Sequence, residues 1–92
     1  MTLLKQVETV GPWVEVVPRI TLQVGSFTEE AKAQKLAEQI RRGFDNVYVT
    51  RVETSTQTYY RVRIGPFETR ESALSRAEQL SGMGYQVLVT SR

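Results

Sequence analysis

Residues 22–27 read "LQVGSF" and residues 62–67 read "VRIGPF": twice, forty positions apart, a short apolar run ends in Gly-x-Phe and gives way to a charged stretch. Setting Gly25 on Gly65 also sets Phe27 on Phe67, Ala33 on Ala73, Ala37 on Ala77, Glu38 on Glu78, Gln39 on Gln79 and Ile40 on Leu80. After one inserted residue Gly43-Phe44 meets Gly84-Tyr85, and after one compensating deletion "VYVT" at 47–50 meets "VLVT" at 87–90. Self-similarity at a fixed offset means one structural unit used twice. The domain is therefore expected to consist of two copies of one motif.

Within each copy the apolar spacing changes from two to 3.6 and back. "ITLQV" alternates, with Leu22 and Val24 on one side and Thr21, Gln23 and Gly25 on the other, which reads as a strand. Thr28 is the expected N-cap of the following helix, with Glu29 and Glu30 in its first turn, where carboxylates favour the positive helix end. Ala33, Leu36, Ala37 and Ile40 then follow at i, i+3, i+4 and i+7; Arg41 and Arg42 close the last turn and Gly43 is a suitable C′ residue. The second copy supplies Thr69 as cap, Ala73, Ala77 and Leu80 as the buried stripe, and "SGMG" as the stop. "NVYVTRV" (46–52) and "YQVLVTS" (85–91) are rich in β-branched and aromatic residues and read as closing strands. "ETSTQT" (53–58) is a polar turn that joins two antiparallel strands.

The order is thus βαβ–βαβ. Two split βαβ units with right-handed crossovers interleave into an α+β, ferredoxin-like (RNP-like) βαββαβ fold: a four-stranded antiparallel sheet of order 4-1-3-2 with both helices on one face. Leu22–Gly25 and Tyr59–Gly65 are expected side by side in its centre. With Leu22, Val24, Val47, Val49, Val62, Ile64, Val87 and Val89 turned toward the helices, alternation sends Thr21, Gln23, Tyr48, Thr50, Tyr59, Arg61, Arg63, Leu88 and Thr90 to an uncovered side. Tyr60 falls by parity on the helix side. Gly25 and Gly65 are expected to permit the strand-to-helix turn, Pro66 to restrain φ, and Phe27 and Phe67 to close the ends of the core.

The totals narrow the chemistry. Ninety-two residues fit one domain, which buries about 60 % of the surface its unfolded chain exposes. Apolar content of 40 % with 24 % charged residues is ordinary for a folded domain, and a net charge of +2 does not demand nucleic acid. Cys and His are both absent, which removes disulfides, thiolate nucleophiles and imidazole acid–base or metal chemistry. Glu29, Glu30 and Glu38 lie on expected helix surfaces rather than as an acid–base pair, and neither Gly-x-Phe run continues into a phosphate-binding loop. No catalysis, no cofactor and no metal are expected. No apolar run reaches the roughly 20 residues of a membrane span. "MTLLKQVETV" (1–10) lacks the basic start and long apolar middle of a secretory signal, so if the parent protein is exported its signal lies outside this segment.

"LQVGSFTEEAKAQKLAEQIRR" (22–42) and "YYRVRIGPFETRESALSRAEQL" (59–80) resemble the two halves of a SPOR (sporulation-related) domain, with its Gln-x-Gly-Ser-Phe opening and its Arg-Val-x-Ile-Gly-Pro-Phe second half. The resemblance covers about Ile20 to Thr90 and implies the fold derived above. It also implies non-catalytic binding of bacterial peptidoglycan glycan strands, typically those stripped of stem peptides at the division septum. Such a domain is usually the C-terminal part of a larger envelope protein: a membrane-anchored division protein, an outer-membrane lipoprotein with lytic activity, or an amidase. The implied setting is the cell envelope, periplasmic or extracytoplasmic, as part of a larger exported or membrane-anchored protein; the isolated domain is expected to be monomeric and not to insert directly into a membrane.

By the same resemblance Gln23 and Ser26 match the polar positions of the opening motif, Tyr59 the aromatic at the start of the third strand, and Arg61 and Arg63 the following outward positions. A glycan site needs aromatic platforms with convergent amide, hydroxyl and guanidinium groups. Gln23, Ser26, Tyr48, Tyr59, Arg61 and Arg63 supply these types and form the expected binding set. The alternative is a single-stranded RNA reader of the same topology, although "TYYRVRIG" (58–65) lacks the aromatic-rich third-strand consensus and nucleic acid is not expected. A third reading is a regulatory or assembly module that dimerises through its sheet.

Residues 1–19 stand apart from a domain at 20–92. "GPWVEVVPR" (11–19) fits an arm, an extra edge strand or a linker, with Trp13 expected to pack against the domain.

Overall fold

The computed structural model describes residues 19–91. The extra edge strand and the packing of Trp13 expected from the sequence lie outside the described residues. The elements run β1 (Ile20–Phe27), α1 (Glu30–Arg41), β2 (Val47–Glu53), β3 (Thr58–Phe67), α2 (Arg70–Gly82) and β4 (Leu88–Ser91). The sheet order is β2-β3-β1-β4, with every neighbouring pair antiparallel. This is the expected 4-1-3-2 order, read from the other edge.

Leu22, Val24, Val47, Val62 and Ile64 from the sheet join Ala33, Ala37 and Ile40 of α1 and Ala73 and Leu80 of α2 in one buried cluster. Because these strand residues share one parity, both helices lie on the same face. The alanines of the stripes let the helices approach the sheet closely, and Phe27, Phe67, Val49, Tyr60 and Val87 pack around the margin. α1 carries Leu36 where α2 carries Arg76, whose guanidinium lies 5.8 Å from the centre of the Phe44 ring and donates to Gln79 Oε1 at 2.9 Å. The β2–β3 turn is held by Thr54, whose N–H and hydroxyl both donate to the Gln57 carbonyl, at 2.8 and 2.7 Å.

Several local expectations are corrected. The N-cap of α1 is Glu29, with no side-chain cap bond, not Thr28. The equivalent residue forty positions on is Thr69, which does cap, accepting from the Ser72 N–H at 3.0 Å. The strand-to-helix passage has the same length in both copies, so the offset that aligned the glycines also sets the cap, and Thr28 falls one residue early. After α1, Gly43 follows the C-cap Arg42 at the expected C′ position, but the left-handed residue comes three positions later, at Asn46 (φ 61°), just before β2. After α2, Gly84 (φ 99°) takes that conformation, with Tyr85 N–H bonded to Leu80 O and Gly84 N–H to Ser81 O, a Schellman closure.

The glycines of the repeat lie inside strands rather than at turns. In β1 the register passes from Gln23↔Arg63 to Gly25↔Val62, so Val24 is an extra residue, a β-bulge. The bulge turns both Val24 and Gly25 toward the helices, against the strict alternation that placed Gly25 on the other side. A Cβ on Gly25 would stand 2.8 Å from Leu36 Cδ2 and 2.9 Å from Phe27 Cε2, so this position is glycine for lack of room. In β3 the extra residue lies at Gly65–Pro66, opposite Thr21. Gly65 has φ +136°, a conformation side chains rarely adopt, and is glycine for its backbone.

Val89 stands opposite Leu22 on the helix side but is 39 % exposed, because α2 packs over β1 and β3 and leaves the β4 edge at the margin. Thr21, expected on the uncovered side, is buried; it sits between Thr90, whose hydroxyl donates to the Thr21 carbonyl at 3.1 Å, and the β3 bulge. The accessible part of the sheet therefore begins at Gln23.

Candidate functional site

On the face opposite the helices the register lines residues up in rows. Tyr48 of β2, Arg63 of β3, Gln23 of β1 and Leu88 of β4 lie side by side. Thr50, Arg61 and Ser26 form the next row, and Val52 and Tyr59 the third. At about 3.3 Å per residue along a strand, Arg63, Arg61 and Tyr59 span about 13 Å, and four strands at about 4.8 Å spacing give a similar width. All six residues expected from the sequence are thus brought onto one side of the sheet: Gln23, Tyr59, Arg61 and Arg63 half-buried, Ser26 and Tyr48 exposed.

The placement of Ser26 depends on the bulge. Residues three apart on a regular strand point to opposite faces, so Gln23 and Ser26 would be separated by the sheet. The extra residue at Val24 restores Ser26 to the side of Gln23 and opposite Arg61. Gln23 is oriented in turn by Arg63, whose Nη2 lies 3.4 Å from Gln23 Oε1, leaving the amide nitrogen as an outward donor. The Nε atoms of Arg61 and Arg63 are shut from solvent with no hydrogen-bond partner among the described residues.

A groove of about 460 Å³ adjoins these rows, lined by Gln23, Val24, Gly25, Ser26, Gln86, Val87 and Leu88. It exists because β4 begins at Leu88, opposite Gln23, rather than at Tyr85 as the sequence suggested. Beyond Gln23 the β4-facing edge of β1 lacks a ladder partner from β4. Gln86 and Leu88, the outer wall of this groove, were not among the expected site residues. The one available signal was the deletion in the second copy: seven residues from Gly84 to Thr90 replace eight from Gly43 to Thr50.

The face offers two phenols, an amide, hydroxyls, two guanidiniums and the exposed apolar side chain of Leu88, 57 % accessible. Such a surface can stack on the C–H face of a sugar and hydrogen-bond its edges. Among the described residues no cluster of His, Cys, Asp or Glu could hold a metal ion, and no helix is long and apolar enough to cross a membrane.

No curated protein sequence matches the chain. Among solved structures the fold is similar to the RlpA SPOR domain from Pseudomonas aeruginosa, with a TM-score of 0.71 and 22 % identity over 77 % of this chain and 96 % of that one. It is also similar to the solution structure of the peptidoglycan binding domain of the B. subtilis cell wall lytic enzyme CwlC, with a TM-score of 0.63 and 23 % identity over 97 % of this chain and 99 % of that one. At these identities the likeness speaks for the fold. The sequence speaks for the family: a model of the SPOR domain matches residues 17–91, every strand and helix described above, and the chain belongs to the SPOR domain family.

Proposed function

We propose that this chain is a non-catalytic module that binds peptidoglycan glycan strands, in particular strands stripped of their stem peptides, on the uncovered face of its sheet. Gln23, Ser26, Tyr48, Tyr59, Arg61 and Arg63 form the binding set. The module acts in the cell envelope as a monomer and directs a larger parent protein to the septum, where such strands accumulate. The observation that carries this reading is the convergence of phenol, amide, hydroxyl and guanidinium groups on one layer that no helix among the described residues covers. Membership of the SPOR family and the likeness to a domain described as peptidoglycan binding point the same way.

Purified wall sacculi, with and without prior digestion by an amidase that removes stem peptides, test the proposal. Retention of the chain is expected to rise after digestion and to fall about tenfold when Tyr59→Ala or Gln23→Ala is introduced, the scale of losing one stacking or hydrogen-bonding group. Equal retention on both sacculi, or none on either, overturns it.

A further inference from the structure

The uncovered face carries two cations and, among the described residues, no carboxylate. The acidic residues lie on α1 and α2, in the loops that lead into them and into β2, and at the end of β2, where Glu53 faces the helix side and pairs with Arg51 at 2.8 Å. Arg61 and Arg63 stand two residues apart on one side of β3, about 6.6 Å from each other. A strand arginine that only solvates its charge keeps its guanidinium in water. In each of these two the Nε–H is closed to solvent and has no hydrogen-bond partner among the described residues. The polar contact that Arg63 makes across the sheet is a long one with the neutral amide of Gln23. Two like charges held close, partly desolvated and uncompensated, raise the free energy of the empty face, and an anion lowers it.

Resting on the reading of this face as a glycan site, we infer that Arg61 and Arg63 are a carboxylate-reading pair that makes the site select muramic acid residues whose lactyl group is free. The stem peptide is joined to that lactyl group through an amide. Hydrolysis adds water across the C–N bond, leaving a carboxylate on the sugar and an amine on the departing peptide. An intact strand is thus neutral at the lactyl position, and a stripped strand carries a negative charge there at neutral pH. The guanidinium fork matches the two oxygens of a carboxylate and can donate to both at once, which a neutral amide cannot reciprocate. Gln23, Tyr48 and Tyr59 are left to hold the sugar ring, and the arginines to distinguish a stripped strand from an intact one or from a neutral amino-sugar polymer.

The test compares three probes on the unaltered chain by calorimetric titration: amidase-stripped glycan oligomers, the same oligomers with their lactyl carboxylates capped as methylamides, and chito-oligosaccharides of equal length. Stripped oligomers are expected to bind about tenfold or more tightly than either neutral probe, the scale of a charge-assisted contact. Added salt is expected to weaken stripped oligomers alone. The Arg61→Gln/Arg63→Gln double variant is expected to lose this preference, its affinities for capped and uncapped oligomers becoming equal. Saturable binding of capped and uncapped oligomers with equal affinity overturns the inference and leaves the glycan reading standing. Binding of none of the three overturns both. Tighter, arginine-dependent binding of homopolymer RNA under the same conditions also overturns it, because the pair would then read phosphate. The arms that vary the probe need no substitution, so the outcome does not depend on how the double variant folds.

Discussion

The half built from β1, α1 and β2 and the half built from β3, α2 and β4 follow one plan at a forty-residue offset, yet they complete it with different atoms. Helix α1 begins without a side-chain cap at Glu29 and reaches a left-handed turn at Asn46; α2 begins at a capping Thr69 and ends in a Schellman closure at Gly84. Gly25 makes room for Leu36, whereas Gly65 adopts a backbone conformation. Strand β2 pairs with β3 along seven residues, whereas β4 has four. The shared features build the sheet and its core. The unshared ones shape the face: the β1 bulge brings Ser26 beside Gln23, and the late start of β4 opens the groove next to both.

The equivalence of the two halves is tested most severely in the core. Ile40 and Leu80 occupy matching positions and are both fully buried, so truncating either to Ala is expected to cost about 3 kcal/mol by urea denaturation. A difference between them of more than about 1.5 kcal/mol, half that value, would mean that the helices do not contribute alike.

The glycines sharpen the contrast at a smaller scale. Gly65→Ala is expected to cost about 2–3 kcal/mol through backbone strain, and Gly25→Ala about 1–2 kcal/mol through crowding. Shortening Leu36 to Ala should reduce the additional penalty of Gly25→Ala and leave that of Gly65→Ala unchanged. If the shortened residue relieves both or neither, the two glycines do not serve the separate purposes assigned to them.

The caps give the smallest effect. Thr69→Ala is expected to lower stability by about 1 kcal/mol, and Glu29→Thr to raise it by about 0.5–1 kcal/mol by supplying the missing oxygen. The exposed Lys32–Glu29 pair lost in the second change, at 3.7 Å, offsets little of that gain. Thermal unfolding of the two variants should move in opposite directions; a common direction breaks the comparison.

Strand parity was readable because a half-buried strand repeats every two residues, and an apolar partner at the wrong parity would face water. Leu22, Val62 and Ile64 are buried as that pattern requires, and Tyr59, Arg61 and Arg63 lie opposite them. What escaped was register. Nothing in "LQVGSF" marks Val24 as the residue without a partner, since the bulge is a relation between β1 and β3. The side occupied by Ser26 and the crowding at Gly25 therefore could not be obtained from one strand alone. The exposure of Val89 escaped for a similar reason, because its parity is correct and its cover depends on where α2 rests.

Local chemistry in the chain was sufficient for the element order, the doubled plan and the residues that form the core, since each follows from periodicity within ten or twenty neighbouring positions. The groove beside β1 and the unpaired guanidiniums came from contacts between segments far apart along the chain. Hydrogen-bond register and desolvation are properties of pairs of surfaces, and neither surface specifies them until the other is in place.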